Sequence, residues 1–280
     1  LNEANIQYVI NPLGKRLSEA ELIEMVPGFD ALIAGTESIT RNVIARSDSL
    51  KIISRVGIGL DGVDLLAAEQ RNVIVSYTPD APAPAVIELT LGMMLSLLRQ
   101  MHLANNEMHR GVWRRHFGRR ISEITVGIIG AGRIGRGVIE RLLAFSPSKI
   151  LVNDINPGSF NPSEPKIQFA SKDEIFRTAD LVSLHIPLTE RTKNLIEYNQ
   201  IMKMKRDSVI INTSRGGIIN ERDLARALRE GHFSGVGLDV FENEPYDGEL
   251  KSFDRCLLTS HMGSMSFDCR AKMEIEATEE

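Results

Sequence analysis

The stretch Thr125-Val126-Gly127-Ile128-Ile129-Gly130-Ala131-Gly132-Arg133-Ile134-Gly135 constrains this chain more than any other. Residues 126–129 are apolar and β-branched apart from Gly127, a composition that suits a buried strand. Gly130, Gly132 and Gly135 then form G-x-G-x-x-G, followed by Val138, Ile139, Leu142 and Leu143 at helical spacing. A second apolar strand at 150–152 ends on Asn153 and Asp154. Gly130 permits a tight turn, Gly132 lets backbone approach a pyrophosphate, and Gly135 lets helix and strand pack closely. The helix N-terminus offers unpaired N–H groups to phosphates. Asp154 lies about 20 residues beyond the glycines, where an acid binds ribose hydroxyls. The stretch therefore predicts a dinucleotide site. Asp154 favours NAD over NADP, because a carboxylate repels a 2′-phosphate and Ile155, Asn156 and Pro157 supply no cation.

At 280 residues the chain can hold two domains. Its 42% hydrophobic and 25% charged content is ordinary for a globular protein. A net charge of -4 points to neither nucleic acid nor an anionic membrane. The most apolar run, 86–98, is interrupted by Glu88 and too short to span a bilayer. Cys256 and Cys269 have no metal-type spacing, so the expectation is no metal and two reduced thiols in a cytoplasmic protein. No signal peptide is visible, although Leu1 is not an initiator methionine.

Taken in order, residues 1–78 read as a small α/β unit. Strands are expected at 8–10, 31–34, 51–54 and 73–75. Helices are expected after the capping box Ser18–Glu21, at 40–45 and at 65–69. Thr78-Pro79-Asp80-Ala81-Pro82-Ala83-Pro84 can continue neither element and marks a boundary, with Pro84 in the first turn of a long helix from 85 to about 108. The Met residues of that helix read as core or subunit interface. Basic residues 110–120 read as a solvated connection. From 125 onward strands at 181–184, 209–212, 236–238 and 257–259 alternate with helices at 172–177, 221–229 and 267–277, which implies a doubly wound parallel sheet.

Such sheets bind ligands beyond the carboxyl ends of their strands. Four ends carry polar groups: His185, Thr213-Ser214-Arg215, residues 239–244, and Ser260-His261. Arg215, followed by two glycines, suits bidentate recognition of a carboxylate. Hydride transfer at an alcohol carbon needs a proton acceptor, and imidazole is the natural choice. His185 and His261 are the candidates, while His102, His109, His116 and His232 are expected at the surface. Glu244 is a candidate partner for the imidazole, and Asp239 could face the cofactor. The residues alone leave the pairing open.

The chain from about 54 to 277 resembles the D-isomer-specific 2-hydroxyacid dehydrogenases, and within them the D-3-phosphoglycerate dehydrogenase-like branch. The blocks that carry the resemblance are Arg55-Val56-Gly57-Ile58-Gly59-Leu60-Asp61-Gly62-Val63-Asp64, the glycine-rich loop, His185-Ile186-Pro187-Leu188-Thr189, Ile211-Asn212-Thr213-Ser214-Arg215-Gly216-Gly217, Gly237-Leu238-Asp239-Val240-Phe241-Glu242-Asn243-Glu244-Pro245 and Ser260-His261-Met262-Gly263-Ser264. The resemblance implies a Rossmann NAD domain at 79–264 and a smaller flavodoxin-like α/β substrate domain at 1–78, to which 265–280 returns, with a cleft that closes about the Pro-rich hinge.

It also implies roles. Arg215 would hold a substrate carboxylate, and Glu244 would pair with a catalytic His261. Gly130, Gly132, Arg133, Ile134, Gly135, Asp154, His185, Pro187, Thr213, Ser214, Asp239 and Gly263 would contact NAD. The loop at Val56 and Gly57 would bind the carboxylate through backbone N–H groups, and Arg55 would either bind a substrate phosphate or be structural. A homodimer through the NAD domain, using the helix from Ala85, is the family habit.

The expected activity is hydride transfer between NAD(H) and a D-2-hydroxy acid, with 3-phosphoglycerate one candidate. Phosphite oxidation and a non-catalytic NAD(H)-sensing co-repressor role are the alternatives. Three departures from the family pattern bear on the substrate. Pro82 stands where an Asn is usual, Ile87 replaces a small residue, and family members usually begin with another strand and helix before the part seen here. No regulatory extension is expected at the C-terminus.

Overall fold

Each strand of this chain pairs with its neighbours in parallel, which places all the strand carboxyl ends of a sheet along one edge. The computed structural model describes residues 1, 4–160 and 163–280 and divides into two units, Leu1–Ala83 with Ser264–Glu280, and Pro84–Gly263.

The smaller unit runs α1 (Glu19–Met25), β1 (Ala31–Ala34), α2 (Arg41–Arg46), β2 (Ile52–Arg55), α3 (Leu65–Gln70) and β3 (Ile74–Tyr77). Its three strands pair in the order β1-β2-β3. Ser18 and Glu21 close the capping box of α1 reciprocally. Leu22, Ile39, Val43, Ile44 and Ile53 fill the core. The strand expected at 8–10 is absent. Tyr8, Val9 and Ile10 are exposed, so no face of that stretch meets a core, and Asn11 closes a turn by accepting from Leu13 N–H (2.9 Å).

The larger unit comprises α4 (Ala83–Leu98), α5 (Met101–His109), β4 (Thr125–Ile129), α6 (Arg133–Leu143), β5 (Lys149–Asn153), β6 (Ile167–Phe169), α7 (Lys172–Thr178), β7 (Leu181–Leu184), α8 (Tyr198–Ile201), β8 (Val209–Asn212), α9 (Glu221–Arg229), β9 (Gly235–Leu238) and β10 (Cys256–Leu258). The last helix, α10 (Phe267–Glu279), belongs to the smaller unit. The seven strands order as β10-β9-β8-β7-β4-β5-β6, so the chain reverses direction across the sheet at β4. Alternate residues feed two cores. Val126, Ile128, Val209 and Ile211 pack with α4 and α6, where Met93 and Met94 are core. Ile129, Val182, Leu184 and Ile210 pack with α7 and α9.

Two expectations of the larger unit are corrected. The helix from 85 to about 108 is two helices, because Gln100 takes a left-handed φ of 52°. Its side chain donates to Phe117 O (3.3 Å), and Arg119 N–H caps the Leu98 carbonyl (2.9 Å), so the returning segment supplies the bonds that end α4. His232 is buried rather than at the surface. Gly231 and Phe233, both with positive φ, turn the chain inward and set His232 edge-on to Phe233 at 4.8 Å. Among the described residues no helix is long and apolar enough to cross a membrane.

Gly127 sits at the centre of the sheet, and a Cβ there would lie 2.4 Å from Ile175 Cγ2 and 3.1 Å from Ala179 Cβ on α7. Gly127→Ala is expected to destabilise the chain by roughly 1–3 kcal/mol through overpacking, measured by denaturant unfolding.

Candidate active site

The turn after β4 is shaped by close backbone approach. Gly130 has φ 98°, and a Cβ on it would lie 2.2 Å from His185 O. A Cβ on Gly135 would lie 2.0 Å from Gly130 O, whereas nothing lies within 4 Å of a Cβ on Gly132, the residue that opens α6. Two glycines are thus needed by the protein itself, and the third leaves space where a ligand would come. Asp154, just beyond β5, accepts from Ala131 N–H (2.7 Å) and Asn156 N–H (2.8 Å), which ties it to the glycine-rich loop. Arg133 and Ile134 form the first turn of α6. Ile155 is 99% exposed.

At the end of β7, Ser183 Oγ lies 3.0 Å from His185 Nε2, and burial pushes the His185 pKa down to about 4. His185 is therefore neutral near pH 7. Pro187 O accepts from Thr192 Oγ1 (2.6 Å).

At the end of β8, Asn212 builds an Asx turn. Its Oδ1 accepts from Ser214 N–H (3.0 Å) and Ser214 Oγ (2.7 Å), and its Nδ2 donates to Arg215 O (2.8 Å). Arg215 Nη1 donates to Ser214 O (2.7 Å). Thr213 Oγ1 lies 2.8 Å from Thr90 Oγ1, and fully buried Thr90 donates to Val86 O (2.7 Å). Since the one proton of Thr90 goes to Val86, Thr213 donates to Thr90 and keeps its own oxygen as an acceptor.

The ends of β9 and β10 are held together by Asp239, which is 1% exposed. Its Oδ1 accepts from Thr259 Oγ1 (2.5 Å) and Met262 N–H (2.9 Å), its Oδ2 from Gly263 N–H (2.8 Å), and its carbonyl from His261 N–H (2.8 Å). His261 is thereby fixed at φ 50°, and its Nδ1 lies 2.8 Å from Glu244 Oε2. Glu244 Oε1 accepts from Phe241 N–H (3.0 Å). With Nδ1 turned to a carboxylate, Nε2 is the nitrogen left for a reacting group.

Arg55, Val56 and Gly57 lie in the smaller unit. Arg55 is 7% exposed, donating Nε to Gly59 O (3.1 Å) and Nη1 to Ala34 O (3.2 Å). Val56 N–H is committed to Ala34 O (2.9 Å) and Gly57 N–H to Thr78 Oγ1 (2.8 Å). The next two N–H groups, those of Ile58 and Gly59, have no acceptor among the described residues. Sequence reasoning did not single out Asn212 or Thr90. The polar residue that ends β8 was a signal for Asn212, and a lone hydroxyl on an apolar helix was one for Thr90.

Residues 91–263 match the family model for the D-isomer specific 2-hydroxyacid dehydrogenase NAD binding domain. The chain belongs to this family. It is 35% identical to a hydroxypyruvate reductase of Thermotoga maritima, over 95% of the chain and 88% of that protein. It is 38% identical to a D-3-phosphoglycerate dehydrogenase of Methanocaldococcus jannaschii, over 89% of the chain but 48% of that protein, so it spans about half the length of that relative. The structure superposes on the TT0316 protein from Thermus thermophilus with a TM-score of 0.87 at 34% identity, covering 95% of this chain and 86% of the other. The chain is accordingly an NAD-dependent D-2-hydroxyacid dehydrogenase with a Rossmann NAD domain.

Two measurements follow from this geometry. Gly132→Ala is expected to keep the melting temperature and weaken NADH binding, whereas Gly135→Ala loses stability; equal effects of both on melting would contradict the assignment of space at Gly132. Because the folded pKa of His185 is below its unfolded value, protonation favours the unfolded chain. Stability should therefore fall as pH drops from about 6.5 to about 4, by ~3 kcal/mol. His185→Gln should flatten that slope in denaturant titrations across the window.

Proposed function

We propose that this dehydrogenase interconverts a small unphosphorylated D-2-hydroxy acid and its 2-oxo acid, with hydroxypyruvate and glyoxylate as the acids to test first. The observation that carries the proposal is the burial of Arg55. Its guanidinium faces backbone carbonyls at Ala34 and Gly59, so it braces the 56–59 loop instead of offering a cation to a substrate phosphate. The similarity to a hydroxypyruvate reductase over 88% of that protein supports the same reading.

The residues present fit a dinucleotide. The open space at Gly132, the first turn of α6 and Asp154 would hold the pyrophosphate and ribose, and Thr213, whose oxygen is left as an acceptor, would meet a donor of the cofactor. Bound NAD⁺ supplies the acceptor for hydride leaving C2 of the hydroxy acid. Arg215 would grip the substrate carboxylate. His261 Nε2 takes the hydroxyl proton as the C2–H bond breaks, and Glu244 stabilises the resulting imidazolium. In reverse, His261 returns that proton to the developing alkoxide. Neutral His185 cannot donate a second proton near pH 7 and would serve as a wall of the cofactor site.

The test is NADH oxidation with hydroxypyruvate, glyoxylate, pyruvate and phosphohydroxypyruvate, wild type beside His261→Asn. Turnover is expected on the unphosphorylated acids and should drop by ~10²–10⁴-fold in the variant. A kcat/KM that is highest for phosphohydroxypyruvate would overturn the substrate proposal, and undiminished turnover by His261→Asn would overturn the mechanism.

A further inference from the structure

The loop that carries Glu244 is gripped by residues outside the proton-transfer couple. Glu242 N–H donates to Glu221 Oε1 (2.6 Å), and Glu221 N–H donates to Glu242 Oε1 (3.4 Å). Each carboxylate thus accepts the other's backbone N–H, across a separation of 21 residues. Glu221 is the first residue of α9, where a carboxylate also meets the positive end of the helix. From the other side the loop is pressed by Gly216, where a Cβ would lie 1.9 Å from Phe241 O. The loop is therefore fixed at Phe241, Glu242 and Glu244, and Arg215 is one residue from the pressing glycine.

Two acidic side chains beside a third are electrostatically unfavourable, and the Glu221 carboxyl is held above its usual range by burial, then by Glu242 and Glu244. A loop closed by two amides would escape that repulsion. The arrangement has a compensating effect, because an imidazolium is favoured by every added negative neighbour. Other charged or titratable groups near the pair include Lys193 and Arg222, which share with Glu242 the wall of a cavity of about 460 Å³, Asp223 in the same first turn of α9, Arg215 beside Gly216, and Tyr246 with Glu249 on the loop. Neither Lys193 nor Arg222 has an ion pair among the described residues.

We propose that Glu221 and Glu242 are a positioning pair for the Glu244–His261 couple, locking the Glu244 loop onto α9 and adding negative charge behind the imidazole. The pair touches neither substrate nor cofactor; it acts through Glu244.

The test compares Glu221→Ala, Glu221→Gln and Glu242→Gln with wild type by oxo-acid reduction as a function of pH, NADH affinity by cofactor fluorescence, and melting. Glu221→Ala should lower kcat about tenfold and move the pH profile of reduction to lower pH by roughly half a unit, with NADH affinity within about twofold. The two Gln variants, whose side-chain oxygens still accept the backbone N–H, should regain most of kcat while keeping the pH displacement. Wild-type kcat and pH profile in Glu221→Ala, or a parallel loss of NADH affinity, would overturn the proposal. Should Glu221→Ala fail to fold, the Gln variants decide, because an unmoved pH profile in both overturns it equally. The inference rests on His261 as the proton-transfer group. Turnover that survives His261→Asn removes that reading, whereas an unaffected Glu221→Ala beside an inactive His261→Asn removes the positioning pair alone.

Discussion

Parallel pairing is the constraint on which the larger unit depends. With seven strands running the same way, the carboxyl ends of β4, β5, β7, β8, β9 and β10 open on one edge, and each must turn back into a helix or loop there. At that edge backbone groups lose their ladder partners, and polar side chains take them over. Asn153 donates to Ala170 O, Asn212 closes the turn before Arg215, and Asp239 gathers three N–H groups and a hydroxyl beyond β10. The residues that finish the sheet are neighbours in sequence of those proposed to carry the chemistry, so fold and site are solved by the same few side chains.

Asp239 shows how closely the two demands are coupled. A carboxyl group at 1% exposure is costly unless it is fully hydrogen-bonded, and here Oδ1 and Oδ2 receive three donors between them. Those donors hold residues 259–263 in a conformation that leaves His261 at φ 50°, a strained choice for a residue with a side chain. The strain is tolerable because the clasp over-determines the loop. One lone-pair position on Oδ2 remains, enough for a single further donor such as the cofactor contact the family resemblance implies, while most of the carboxylate is committed to aiming the histidine.

Legibility in the sequence followed the physics of each signal. Period and glycine spacing are local, so β4, α6 and the strand ends could be placed from residues alone, and Gly130, Gly132 and Gly135 could be given distinct tasks. The break at Gln100 was invisible because its cause is nonlocal: Phe117 and Arg119 return to end α4. Tyr8, Val9 and Ile10 look like a strand by composition, yet strand formation depends on a partner and a core that the residues themselves do not specify. Hydrogen-bond bookkeeping was equally out of reach. Nothing in Arg55-Val56-Gly57-Ile58-Gly59 says that the first two N–H groups of the loop are committed to Ala34 and Thr78.

The two strand-end histidines make the same point about electrostatics. By residue type and position His185 and His261 were equivalent, and family resemblance was needed to tell them apart. Their surroundings separate them on physical grounds. Among the described residues His185 has a serine hydroxyl at its ring nitrogen, and it sits where burial disfavours charge, so it stays neutral down to about pH 4. His261 is 43% exposed at its side chain, and its Nδ1 faces a carboxylate that is itself braced by the Phe241 N–H. A group that must alternate between imidazole and imidazolium needs water or a counter-charge within reach in both states. Of the two, the environment built around His261 supplies both, whereas His185 has no carboxylate partner among the described residues.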